Sequence, residues 1–281
     1  MPRARHAATV AVAAAANLGG MRRSRPAVLT GALALALVVA LALSSRESVG
    51  AGAASEVAAA SSPALARGIP RPPMRFDPIP YGDARKRQMA SYSKRHYGRR
   101  TWRLENPRAI VLHYTAGSSY SSAYDVFAAN DPALGERPGV CAQFIVDKAG
   151  TIHQLTRLGV RCRHTVGMNH VSIGIEMVQE DIGSHASERA ILARRPQARA
   201  ATKLAAWLRG RYEIRSENLI GHAMANGSPL FKDLEGWRND HTDWRAAEVR
   251  AFRRRVGRII RSHRSHRGRL DARPVAPGAA G

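Results

Sequence analysis

Cysteine is nearly absent: Cys141 and Cys162 are the only two. They lack the paired CxxC spacing of a zinc ribbon or a redox motif, and two cannot build a disulfide framework. Aromatic residues make up 6% of the chain, and no basic stretch interleaves with them. A nucleic-acid-binding surface therefore lacks its usual signature, and no nucleic-acid partner is expected. Acidic residues are scarce as well, 21 against 44 Lys and Arg, for a formal net charge of +23. That imbalance favours an anionic partner such as an anionic membrane or cell-wall polymer. Arginine far outnumbers lysine and alanine is abundant, a compositional bias that makes the charge a weak guide to function. No internal repeat is present.

The longest apolar run, Pro26 to about Leu43, follows Arg22, Arg23 and Arg25. A positive flank before an uncharged run is the pattern of an export signal. The run is long for a signal core and near the lower limit for a membrane span, so a cleaved signal and an uncleaved anchor are both open. Small residues at Gly50-Ala51-Gly52-Ala53-Ala54 suit cleavage, and Met21 is the expected start. The chain then divides into an extension with signal or anchor over 1–46 and an Ala/Pro-rich basic linker over 47–100. A folded domain over 101–262 and a basic, disordered tail over 263–281 complete it. Secretion or attachment to the cell envelope follows, with a monomer expected. The linker's Arg85-Lys86-Arg87, Lys94-Arg95 and Arg99-Arg100 read as solvated charge, with contact to an anionic polymer as the alternative.

Within the folded domain, strands and helices alternate. Ala109-Ile110-Val111-Leu112 is an apolar strand running into His113. Residues 123–129 make a helix ended by Asn130-Asp131-Pro132. Residues 142–147 and 151–155 form a hairpin around Lys148-Ala149-Gly150. Ser172 to Val178 is a further strand with Glu176 embedded in it. A helix spans about 195–212, Asn218 to His222 is a short strand or turn, and Asp243 caps a last helix from Trp244 to about Ile260. Val249, Phe252, Val256 and Ile259 form the inward face of that helix. An α/β fold of about 160 residues, one globular domain able to bury its own core, is the consequence.

His113 and His222 both end apolar runs and are followed by small residues. A catalytic zinc takes three protein ligands and leaves one position open, and a carboxylate is available in Asn239-Asp240-His241-Thr242-Asp243. Glu176, a carboxylate inside an apolar run, is costly unless paired or functional.

Val111 to Thr115, the Gln143–Leu155 hairpin, Ser172 to Glu176 and Ile220-Gly221-His222 occur in this order. Together they resemble the zinc-dependent N-acetylmuramoyl-L-alanine amidases of the type 2 amidase and peptidoglycan recognition protein superfamily, over about residues 106–256. The resemblance implies a mixed central β-sheet flanked by helices and a Zn2+ held by His113, His222 and Asp243, with Asp240 in reserve. It implies Glu176 as the catalytic carboxylate and His241, where many members carry lysine, as a second catalytic group at the oxyanion. It places His164, Tyr114 and Asn169 at the substrate, which would be peptidoglycan cut between muramic acid and L-alanine. A non-catalytic recognition module of the same fold is the alternative. In an exported protein Cys141 and Cys162 either pair, tying the hairpin to the next loop, or remain buried thiols.

Overall fold

The computed structural model describes residues 68–183 and 185–271. The expected export segment, the first part of the linker and the last residues of the tail lie outside them. No helix among the described residues is long and apolar enough to cross a membrane.

Six strands and five α-helices build the domain among the described residues. They are β1 (Arg75–Phe76), α1 (Asp83–Tyr97), β2 (Ala109–Tyr114), α2 (Tyr120–Ala129), β3 (Phe144–Val146) and β4 (Ile152–Gln154), followed by β5 (Ser172–Met177), α3 (Ala186–Ala193), α4 (Arg195–Tyr212), β6 (Leu219–Gly221) and α5 (Ala246–Asp271). The strands form one sheet in the order β1-β4-β3-β5-β2-β6. Only β3 and β4 are antiparallel; the other pairings are parallel, so the sheet is mixed.

Side chains alternate across a strand. In β2 this sends Ile110, Leu112 and Tyr114 to one face and Ala109, Val111 and His113 to the other. The first face joins Ile173, Ile175 and Met177 of β5 in the main core, against Leu204 and Leu208 of α4 and Val249, Phe252 and Val256 of α5. Each such side chain contributes roughly 1.5–3 kcal/mol when fully buried. The helices α3, α4 and α5 therefore cover one face of the sheet. The opposite face, with His113 and Glu176, is left to α2 and the loops.

Two stretches depart from the expected boundaries. Much of the expected linker is ordered: Met89 and Tyr92 of α1 are fully buried and Arg85 is 3% exposed. Its sequence hides this because α1 is held through polar side chains as much as apolar ones. The helix α5 also reaches Asp271, well into the expected tail, and begins at Ala246. Ile260 rather than Ile259 completes its buried stripe. The short helix α3 is an addition to the expected elements.

Candidate active site

His113 sits one residue before the end of β2, and Glu176 is its partner in the parallel pairing with β5. The adjacent strand β6 ends at Gly221, so His222 leaves the sheet beside them. A Cβ on Gly221 would lie 1.6 Å from the carbonyl oxygen of Trp244. Glycine there lets the 243–245 backbone press against the strand end, where Ala223 N donates to Asp243 O at 2.9 Å. The buried Glu188 fixes the same segment by accepting from Trp244 N at 2.8 Å. Asp243 is thereby turned inward to the histidines instead of capping α5.

The three side chains converge. His113 Nδ1 and His222 Nδ1 are 3.0 Å apart. Asp243 Oδ2 is 3.5 Å from His113 Nδ1, and Oδ1 is 3.1 Å from His222 Nδ1. All three residues are buried. Asp243 Oδ1, despite that short approach, has no aligned hydrogen bond. Ligands about 2.0–2.1 Å from a tetrahedral ion stand about 3.3 Å apart, so these spacings are those of one face of a metal tetrahedron. Two imidazoles and a carboxylate suit zinc. Burial raises the Asp243 carboxyl, but the neighbouring His222 and His113 outweigh it and hold the group far below its ordinary range. Burial lowers His222, against the pull of Asp243. The result is neutral imidazole and ionised carboxylate, the forms that bind a cation.

His113 is oriented from behind. Its Nε2 lies 3.1 Å from His164 Nδ1 and 3.3 Å from Thr165 Oγ1. Burial, with His113 and His222 nearby, keeps His164 neutral. With a proton on His113 Nε2, His164 Nδ1 accepts it and His164 Nε2–H faces Ser172 O at 3.5 Å. That arrangement leaves His113 Nδ1 as a free lone pair at the cluster. The ring of His164 occupies the space above Gly174, where a Cβ would come within 2.9 Å of it.

Glu176 is 8% exposed and its Oε2 has no hydrogen-bond partner. Burial pushes its carboxyl up to about 7; His113 opposes the rise and Asp243 adds to it. His241 stacks on His222 with ring centroids 4.1 Å apart. Burial lowers its pKa despite Asp243, so it presents a neutral N–H. These groups line a cleft of about 150 Å³ whose other wall is apolar, with Val126, Phe127, Leu134 and Val140.

Of the expected substrate contacts, His164 and Tyr114 line the cleft. The Tyr114 hydroxyl is turned to Asp181 Oδ1, 3.2 Å away. Asn169 does not line it. Fully buried, it accepts from the backbone N–H of both His164 and Thr165 at 2.8 Å and so shapes the loop that carries them. Asp240 is exposed and gives no atom to the cluster. Cys141 and Cys162 form a disulfide that joins the cleft wall to this same loop. Sequence reading missed Thr165, Gly174 and Gly221; a lone glycine inside a strand pattern is the available signal, because it marks close backbone approach.

A mixed sheet carrying a buried His–His–Asp cluster, faced by an unpartnered glutamate, defines a candidate metal-dependent hydrolytic centre. Residues 103–244, half of the chain, match the family described as N-acetylmuramoyl-L-alanine amidase (Amidase_2), and the chain belongs to that family. Amidases of this family act on peptidoglycan. Solved structures similar to the chain include the endolysin N-acetylmuramoyl-L-alanine amidase LysCS from Clostridium intestinale, at 18% identity over 52% of this chain and 82% of that one, TM-score 0.36. A mutant endolysin from Bacillus subtilis shows 19% identity over 54% and 85%, TM-score 0.36. The catalytic domain of XlyA shows 18% identity over 66% and 99%, TM-score 0.41. No protein of curated function matches.

Proposed function

We propose that the chain is a zinc-dependent amidase that hydrolyses the bond between the lactyl carbonyl of N-acetylmuramic acid and the L-alanine nitrogen of the stem peptide. The observation that carries the reading is Glu176: a buried carboxylate with a free oxygen, on the same sheet face as the His113–His222–Asp243 cluster. Those three residues would hold the zinc ion, which when bound supplies Lewis acidity to the scissile carbonyl and to water. Glu176 takes the proton of the attacking water at its free oxygen and returns it to the leaving nitrogen. His241 offers a neutral N–H to the developing oxyanion, a position where relatives use a cation. His164 and Thr165 keep the His113 ring in the tautomer that leaves Nδ1 free.

The disulfide between Cys141 and Cys162 supports maturation in an oxidising compartment, which agrees with export through the segment after Met21. We accordingly place the protein at the cell envelope or outside the cell, where peptidoglycan is accessible.

The test is digestion of purified peptidoglycan by the full chain, with product ends identified by mass spectrometry. New L-alanine amino termini that disappear on zinc chelation and return on zinc addition support the reading. Tight wall binding with zinc present and no new amino termini would overturn it and leave a recognition module.

A further inference from the structure

The helix α1 ends at Tyr97, ahead of the stretch that matches the family, yet one of its faces is devoted to the cleft. Arg85 donates from Nη1 to Phe127 O at 2.7 Å and from Nη2 to Val140 O at 3.1 Å. Phe127 belongs to the last turn of α2, whose final carbonyls have no helical partner and carry partial negative charge. Val140 is where the following loop returns, so one planar guanidinium ties both ends of the segment 127–140. Gln88, one turn on, accepts from Asn130 Nδ2 at 2.9 Å. Near the end of the helix, Arg95 and His96 take the two carboxylate oxygens of Glu136 at 3.1 and 3.0 Å. The segment they hold supplies Phe127, Ala133, Leu134 and Val140 to the cleft, opposite the metal cluster.

We propose that α1 is a brace for the substrate cleft and that Arg85 is its principal positioning residue, fixing the apolar wall against which the substrate lies. The inference rests on the amidase reading for the identity of that substrate. Arg85 touches no metal ligand, and its placement accounts for a buried cation that has no acidic partner among the described residues: backbone carbonyls and the Tyr81 ring, 5.2 Å away, surround it. Loosening the wall should weaken substrate binding and leave the groups around the cluster in place.

The experiment compares wild type, Arg85→Gln, Arg85→Lys and Gln88→Ala as full chains. Kinetics on a soluble muramoyl peptide, zinc content, and hydrogen exchange of residues 127–140 are measured together. For Arg85→Gln the expected result is a KM raised about tenfold, the loss of charged hydrogen bonds worth roughly one decade, with kcat and zinc content unchanged and exchange in 127–140 accelerated. Arg85→Lys, which keeps the charge but loses the two-ended fork, falls between. Gln88→Ala removes one peripheral bond and keeps the fold if Arg85→Gln does not; it shifts KM and exchange in the same direction by a smaller factor. An unchanged KM with activity falling only as folded protein falls would overturn the proposal, as would unaltered exchange in 127–140. An inactive wild type would overturn the amidase reading instead, and exchange would still decide whether α1 holds the wall.

Discussion

His113 and Glu176 occupy paired positions on the parallel strands β2 and β5, so both side chains leave the sheet on the same face. This pairing is a product of register. A slip of one residue would turn Glu176 into the main core and push Ile175 and Met177 out of it. Around it, His222 and Asp243 arrive from a strand end and a loop, 109 positions separating the two histidines.

The cluster depends on Asp243 for its charge. Asp243→Asn keeps the shape and removes the anion that opposes the metal, so zinc content of the purified protein is expected to fall well below one per chain. His222→Ala is expected to do the same. Retention of stoichiometric zinc by both variants would rule out this ligand set.

Gly221 is the steric condition for that arrangement. With 1.6 Å between its would-be Cβ and Trp244 O, Gly221→Ala must push the 243–245 backbone away. Loss of about 3 kcal/mol or more of stability is expected, together with weaker zinc binding. Denaturant unfolding and zinc titration check the two effects, and normal values in both would show that the segment yields easily.

The run Ile110 to His113, the hairpin and the strand holding Glu176 are legible in the sequence because each is a short apolar run whose period and turn residues agree with its fold. The helix α1 is not. Its sequence, DARKRQMASYSKRHY, is rich in charge, and nothing local says that Arg85 and His96 are buried and bonded to groups 40 or more residues away. Asn169 differs from its expected role for a related reason: a polar residue five positions after His164 suits a substrate contact, but its amide is consumed by Tyr97 and two backbone N–H groups. The inward turn of Asp243 was visible only through the resemblance; its local sequence suits a helix cap.

His96 sets a pH dependence of stability. Its Nδ1 is 2.8 Å from Asp233 Oδ2 and its Nε2 3.0 Å from Glu136 Oε2. Burial lowers its pKa, but hydrogen bonds to Asp233 and Glu136 outweigh this and raise it above the ordinary 6.5. A group with a raised folded pKa stabilises fully below its unfolded pKa and loses that contribution as pH climbs through the folded value. The Tm difference between wild type and His96→Gln is therefore expected to be largest near pH 6 and to shrink toward pH 9. A difference that grows with pH would contradict the charged form.

The disulfide joins residues 21 apart in sequence. Closing a loop of that size stabilises by about 3 kcal/mol in the chain-entropy account. A Cys141→Ser/Cys162→Ser double variant is expected to lose stability of that order in denaturant unfolding, and reductant should shift the wild type toward it. Equal midpoints for the two proteins would show that the bridge adds nothing.

The most direct measurement is turnover of a soluble muramoyl peptide by Glu176→Gln beside its zinc content and Tm. Glutamine keeps the volume of the side chain and cannot accept the proton of the attacking water. If Glu176 is the base, kcat falls by at least about a hundredfold while zinc remains at one per chain and KM stays near the wild-type value. A variant that keeps its zinc and turns over at a rate near wild type would contradict the assignment of the chemistry to this carboxylate.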